Sequence, residues 1–168
     1  MDNNKREDLE EFVIHSIDDA IRQKHIKVYY QPVVRTINRS LCGLEALARW
    51  DDPQRGLLSP GCFIKTLEDH SLISKLDMYI IRQVCIEMKE RFKQGKNAVP
   101  VSFNLSRIDF ITCDVFAQVE ATLKEYDIPR DMIRIEITES MMAKDAIRLS
   151  NEILKFQKAG YQVWMDDF

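Results

Sequence analysis

Strand-like and helix-like segments alternate along this chain from residue 72 onward. Helical patterns cover 72–92, 116–123 and 143–159, and strand patterns cover 98–105, 132–138 and 161–165. Neighbouring parallel strands need a long crossover connection, which is usually a helix. The alternation therefore predicts parallel strands with helices packed outside them, an α/β fold.

A hairpin precedes this alternation. Residues 27–34 and 41–50 are rich in β-branched, aromatic and other apolar side chains, and the polar residues 36–40 between them are typical of a turn. We expect an antiparallel pair of strands here. Residues 51–60 contain two prolines and a glycine, which predicts a loop that ends where Pro60 begins a helix.

Residues 6–24 have the pattern of a one-faced amphipathic helix. Leu9, Val13 and Ile17 recur at helical spacing, and acidic residues in the first half give way to Arg22 and Lys24 near the end, as the helix dipole favours. Such a helix could pack on its own domain or join it to a domain upstream. We therefore divide the chain into a linker or packing helix, 1–25, and a main domain, 26–168.

Charge and apolar content argue against several classes of protein. The chain carries 24 basic and 27 acidic residues, a net charge of −3, unlike a DNA-binding protein that neutralises many phosphates. No apolar run approaches the ~20 residues that span a bilayer. The acidic N-terminus is unlike a secretory signal, so we expect a cytoplasmic location. Four widely spaced cysteines predict reduced, structural thiols.

Oxygen-bearing side chains lie at or near the ends of the strand patterns. These residues are Glu45, Asn104, Glu136, Glu139, Asp166 and Asp167. The carboxyl ends of parallel strands meet on one face of the fold, so these groups could converge although they are far apart in sequence. Carboxylates gathered at one point repel each other unless a cation neutralises them, and hard oxygen donors suit Mg²⁺, Mn²⁺ or Ca²⁺. Adjacent Asp166 and Asp167 could reach two metals about 4 Å apart, the arrangement that hydrolyses phosphodiesters.

Each of these residues also has an ordinary structural interpretation. Acids at strand ends often cap the following helix, and it is the set as a whole that favours a metal site. Arg49 could clamp a phosphate through two hydrogen bonds, although a solvent-facing ion pair is the commoner fate of a single arginine. Trp50 could stack on a base, and core packing is the more common role of a tryptophan.

Five short motifs resemble, in order and spacing, the EAL-domain family of cyclic di-GMP phosphodiesterases. They are YYQP at 29–32, LEALARW at 44–50, FNLS at 103–106, EITES at 136–140 and DDF at 166–168. The resemblance runs from about residue 27 to the last residue. The first helix resembles the segment that joins such a domain to an upstream sensory or diguanylate-cyclase-type domain.

The resemblance implies a modified TIM (β/α)₈ barrel whose first strand is antiparallel to the second. It also implies hydrolysis of the bacterial second messenger cyclic di-GMP to linear pGpG with two Mg²⁺ or Mn²⁺ ions. By motif, Glu45, Asn104, Glu136 and Asp166 correspond to ligands of the first metal and Asp167 to a ligand of the second. Glu139 corresponds to a glutamate that holds the loop after DDF. Gln31, Leu47 and Arg49 correspond to substrate contacts, with Arg49 on a phosphate.

The resemblance stops at DDF, where family members continue into a catalytic lysine and further strand ends. We therefore expect an incomplete barrel of about five strands, a chain that is inactive or nearly so by itself, and a homo-oligomer that buries the open edge. The alternative function is a non-catalytic module that binds cyclic di-GMP or a partner protein. A third interpretation is an α/β domain whose surface acids have no catalytic role.

Overall fold

The structure of this chain is a computed structural model that describes residues 3–138 and 146–166. Its helices are α1 (Asn3–Arg22), α2 (Ile64–Asp69), α3 (Ile73–Lys93), α4 (Asp109–Thr112), α5 (Val115–Tyr126) and α6 (Ala146–Lys158), with 3₁₀ turns at Pro60–Cys62 and Arg130–Met132. Its strands are β1 (Ile26–Val34), β2 (Leu41–Asp52), β3 (Gly56–Leu58), β4 (Val101–Asn104), β5 (Ile133–Thr138) and β6 (Gln162–Asp166).

The strands form one mixed sheet in the order β1-β2-β4-β5-β6, with short β3 paired to β2. Strands β1 and β2 are antiparallel, with Tyr29 opposite Leu47. The pairs β2–β4, β4–β5 and β5–β6 are parallel. The predicted α/β fold and its antiparallel first strand are therefore confirmed. Over the residues that the structure describes, the sheet is open, with β1 and β6 at its edges.

The predicted loop over 51–60 was wrong in part, because it contains β3. Strand β2 continues to Asp52, and Leu58 pairs back with Trp50. The Asp52 carboxylate accepts hydrogen bonds from the backbone N–H groups of Gln54 and Arg55, both at 2.9 Å. These side-chain bonds form a tight turn, so the chain reverses within the segment that its composition marks as irregular.

One face of the sheet packs against the helices and forms the core. Phe103, Ile133 and Ile135 lie on this face and are buried. Trp50 has no exposed surface and packs between Phe12 of α1 and Phe63, with ring centroids 5.3 and 5.8 Å away. The core role of Trp50 is thus confirmed.

Helix α1 packs on the same core. Its Val13 and Ile17 have no exposed surface. Each carboxylate oxygen of Asp18 accepts a hydrogen bond from Nζ of Lys75 on α3 at 2.8 Å. Of the two roles open to this helix, packing on its own domain is the one that these contacts support. The division at residues 25 and 26 stays a prediction.

The other face of the parallel strands carries polar side chains. Alternation along each strand puts Glu45, Ser102, Asn104, Arg134 and Glu136 on this inner face. All four cysteines are free, as predicted. In the described parts of the chain, no helix has the length and apolar character needed to cross a bilayer.

Candidate functional site

Three of the six strand-end residues meet at the carboxyl ends of neighbouring strands. Asn104 ends β4, and its Nδ2 donates a hydrogen bond to Oε1 of Glu45 on β2 at 3.1 Å. Asn104 is also the register partner of Glu136 on β5. The sheet therefore brings two carboxyl groups and an amide together from positions far apart in sequence.

Glu136 is the most enclosed of the three, with 7% of its surface exposed. A carboxylate in such a position is costly unless donors, a proton or a cation compensate its charge. Glu45 is partly buried and Asn104 is exposed at the rim. The three side chains thus extend from the buried Glu136 to the exposed Asn104, so an ion could reach them from solvent.

The remaining strand-end residues are placed only in part. The backbone of Asp166 pairs with Thr138 at the end of β6, the next parallel strand along the sheet. Its backbone therefore lies at the end of that strand, and its role as a metal ligand stays a prediction. Glu139 and Asp167 lie outside the described residues.

The predicted substrate contacts lie on the β1–β2 hairpin. Gln31 is the register partner of Glu45, and Leu47 and Arg49 follow Glu45 on the same face of β2. Nη1 of Arg49 donates to the carbonyl oxygen of Ala48 at 2.8 Å, and the guanidinium lies 5.6 Å from the Tyr29 ring centroid. Within the described part of the chain, Arg49 forms no ion pair, so the alternative of a surface salt bridge is not supported.

A cleft of about 780 Å³ adjoins the three converging residues. Leu47, Asn104 and Thr138 line one side of it, and α2 and α3 form the other side. The cleft is large enough for a small-molecule ligand. Its wall includes three acids, Glu68, Asp69 and Asp77, that the sequence-based interpretation missed. Asp77 lies between the buried residues Leu76 and Ile80 of α3. An acidic residue on the apolar side of a helix is unusual, and this was the signal in the sequence that could have identified it.

The inner face is filled below the carboxyl groups by Arg134. Its guanidinium lies 4.5 Å from the Trp164 ring centroid, and its Nε donates to Oε1 of Gln162 at 2.9 Å. A Cβ at Gly43 would lie 2.6 Å from Nη1 of Arg134, so this glycine makes room for the guanidinium. A positive charge thus lies one same-face step below Glu136 on β5.

The donor set fits a hard divalent cation. Glu45 and Glu136 supply carboxylate oxygens, and Asn104 keeps its amide Oδ1 available while Nδ2 faces Glu45. Among the side chains that the structure describes, no group of three or more Asp, Glu, His or Cys residues is arranged to hold a metal. By themselves these three residues would supply only part of a metal shell, to which Asp166 and Asp167 would have to add.

Comparisons with known proteins agree with this architecture. A family model described as the EAL domain matches residues 14–168. The bifunctional diguanylate cyclase/cyclic di-GMP phosphodiesterase MucR of Pseudomonas aeruginosa is 27% identical over 168 residues, covering 100% of this chain and 24% of that protein.

Solved structures match as well. The PaMucR phosphodiesterase in complex with c-di-GMP superposes with a TM-score of 0.85 at 27% identity, over 93% of this chain and 63% of that one. The EAL enzyme Bd1971 in its cAMP- and cyclic-di-GMP-bound form gives a TM-score of 0.81 at 28% identity, over 100% of this chain and 46% of that one. This chain thus spans about a quarter of the curated relative and about half to two thirds of these solved chains.

Proposed function

This chain belongs to the EAL domain family, and from that premise we propose that it is part of a phosphodiesterase that hydrolyses cyclic di-GMP to linear pGpG. The observation that carries the proposal is the contact between Asn104 and Glu45 at 3.1 Å, with Glu136 in register beside Asn104. The relatives support the substrate, because one is described as a cyclic di-GMP phosphodiesterase and its structure as a c-di-GMP complex.

Glu45, Asn104, Glu136 and Asp166 are proposed to hold one Mg²⁺ or Mn²⁺ ion, and Asp167 a second. When bound, such ions polarise a phosphodiester and lower the pKa of water so that hydroxide is available near neutral pH. The carboxylates of this chain would fix the positions of both ions, and Glu139 would steady the loop that carries Asp167.

The hairpin residues have a separate role in the proposal. Gln31, Leu47 and Arg49 follow one another around the inner face beside Glu45 and would orient the substrate. Arg49 would leave the Ala48 carbonyl and bind a phosphate oxygen, which is a stronger, charge-assisted hydrogen bond. Cyclic di-GMP carries two negative charges, which the nearby carboxylates would repel. The positive charge of Arg49 would also offset this repulsion.

Calorimetric titration of this chain with Mn²⁺ tests the metal site. We expect Glu45→Gln and Asn104→Ala to weaken binding by about tenfold or more, because each removes a direct oxygen ligand or its charge. Glu90→Gln is the matched control, since Glu90 is an exposed acid on α3 paired with Lys93. Equal Mn²⁺ affinity in all four proteins would remove the basis of the proposed site.

Incubation of cyclic di-GMP with the longer protein that contains this chain tests the reaction. Chromatography should show pGpG formed in the presence of Mn²⁺ and lost in Glu45→Gln. Binding of cyclic di-GMP without any product would instead support the alternative function, a non-catalytic binding module. If the protein neither bound nor hydrolysed cyclic di-GMP, both functions would be contradicted.

A further inference from the structure

Two carboxyl groups face each other between α3 and α4, beside the cleft. Asp109 begins α4 and has no exposed surface. Its Oδ2 accepts a hydrogen bond from the backbone N–H of Ser106 at 2.8 Å. Its Oδ1 is buried and accepts no hydrogen bond. The Asp77 carboxyl and the Ser74 hydroxyl both lie within hydrogen-bonding reach of the Asp109 carboxyl, so the two acids are direct neighbours.

Two ionised carboxylates are unfavourable in this position. Burial, the charge of Asp109 and the hydrogen bond to Asp109 raise the pKa of Asp77 well above its ordinary value. Burial also raises the pKa of Asp109, while its hydrogen bonds with Asp77, the Ser74 hydroxyl and the Ser106 N–H lower it. The Ser106 N–H lowers the pKa of both acids, but its 2.8 Å hydrogen bond goes to Oδ2 of Asp109. Asp109 is therefore the favoured ionised partner, and the proton stays on Asp77.

We propose that Asp77 and Asp109 share one proton at neutral pH, donated by the Asp77 carboxyl to Oδ1 of Asp109. This proton supplies the donor that Oδ1 otherwise lacks. The pair joins α3 to the segment that follows Asn104, because Asp109 also holds the Ser106 N–H. The proposal goes beyond the phosphodiesterase function and does not depend on it.

The neighbouring groups add to this effect. Glu68 accepts a hydrogen bond from Oγ of Ser106 at 2.7 Å, and its charge raises the pKa of both aspartates. Sγ of Cys113 donates to the Asp109 carbonyl oxygen, and burial raises the pKa of that thiol, which stays neutral. The other charged groups around this cluster are Lys65 paired with Asp69, Arg107 at the cleft wall, and Arg148, which donates to the Phe110 carbonyl oxygen.

A shared proton also links the cluster to the rim of the sheet. Ser106 is bound twice, through its N–H to Asp109 and through its hydroxyl to Glu68. Asn104 lies two residues before Ser106. Loss of the proton would place two negative charges beside this segment, and we expect the segment to loosen. Asp77 and Asp109 are therefore positioning residues for the end of β4.

Thermal unfolding of the whole chain as a function of pH tests the proposal. A buried acid whose pKa is raised in the folded state binds its proton more tightly there than in the unfolded chain, so stability falls as pH rises above about 4 toward the folded pKa. The wild type should lose about 3–5 °C per pH unit in this window relative to Asp77→Asn, whose amide supplies a permanent donor. Asp69→Asn, at the same cleft, should follow the wild type.

Asp77→Ala separates the proton from a general packing role. It removes the donor and should unfold at a lower temperature than Asp77→Asn at every pH. Unfolding curves of the wild type and Asp77→Asn that stay parallel with pH would overturn the proposal.

A direct count of the proton comes from carboxyl ¹³C NMR of the aspartate-labelled chain. One of the two resonances should remain in its protonated position at about pH 7 and disappear in Asp77→Asn. A bound cation would give a different result: both carboxyl groups ionised, with stability lowered by a chelator in the wild type and unaffected in Asp77→Ala. That result would replace the proton with a metal ion.

Discussion

Gly43 is the position where a single methyl group would disturb the inner face. Its Cβ would lie 2.6 Å from Nη1 of Arg134 and 3.2 Å from the Pro100 carbonyl oxygen. The neighbour that must move is the end of the Arg134 side chain, which also holds Gln162 and contacts Trp164. The glycine therefore belongs to the packing beneath the carboxyl groups.

We predict that Gly43→Ala destabilises the chain by about 1–3 kcal/mol, because the displaced guanidinium loses its contacts. Chemical denaturation measures this cost. The cost should shrink when Arg134→Ala is present, since the clash is then removed. Gly61→Ala is the matched control, because nothing lies within 4 Å of a Cβ there. Equal costs of Gly43→Ala with and without Arg134 would contradict the explanation.

Single residues differ in how well sequence predicted them. The EALARW and FNLS motifs placed Glu45 and Asn104, and the structure brings these two side chains into contact. Nothing in the local sequence indicated that Arg134 would lie against Gly43, because their contact depends on the register of three strands. Asp109 was missed for a different reason, because the four-residue helix α4 is too short to show a periodic pattern.

Helix α1 contributes to the core through one face. Ile17 has no exposed surface, whereas Ile37, in the turn of the β1–β2 hairpin, is 98% exposed. We predict that Ile17→Ala costs about 2–4 kcal/mol, from lost burial and a cavity, and that Ile37→Ala stays within about 0.5 kcal/mol. The same substitution at both sites isolates burial from side-chain chemistry. Similar costs in denaturant titrations would mean that α1 does not pack as described.

A polar junction connects α5, the turn before β5 and the residue before β6. Glu120 accepts two hydrogen bonds from Arg130, at 2.6 and 2.8 Å, and one from the Tyr161 hydroxyl. The pKa of Glu120 is lowered, and the largest cause is its hydrogen bonding to Arg130. The junction therefore joins three segments that are separate in sequence.

The pH dependence of this junction has a definite sign. An acid whose pKa is lowered by folding stabilises the fold above its unfolded pKa, about 4.3, and that contribution is lost as pH falls through the folded pKa. We predict that Glu120→Gln lowers stability by up to about 1 kcal/mol at neutral pH, since solvent screens a partly exposed pair. The difference from wild type should vanish on acidification. A Glu120→Gln effect that persists in acid would contradict the ionic origin.

Sequence predicted most of the longer elements. Helix α3 and strands β1, β2 and β5 lie within a few residues of their expected bounds, because each is long enough to show its hydrophobic period. Short elements were missed. Strand β3 has three residues and α4 has four, so neither completes a recognisable pattern, and both depend on turn hydrogen bonds or tertiary contacts.

At the scale of the whole molecule, the sheet has two edges over the described residues. Strand β1 lies at one edge and β6 at the other, and Trp164 and Met165 of β6 are exposed. Unpaired strand edges and exposed apolar side chains favour association with another chain. We predict that the purified chain forms dimers or larger oligomers, with light scattering as the measurement. A compact monomer at high concentration would contradict this.

The activity of this chain alone is a separate prediction. We expect little or no turnover of cyclic di-GMP, because the described acids and amide would supply only part of the proposed ligand shell. The measurement is product formation with Mn²⁺ by the purified chain. Steady production of pGpG that Glu45→Gln abolishes would contradict the prediction.

The hydrogen bond from Asn104 to Glu45 joins residues that are 59 positions apart. Contacts of such long range form late in folding, because a large loop must close before they yield any stabilisation. A newly synthesised chain therefore cannot bring this amide and this carboxylate together until β4 has taken its place beside β2. Protection of the Asn104 side-chain amide from solvent exchange would time this step in refolding.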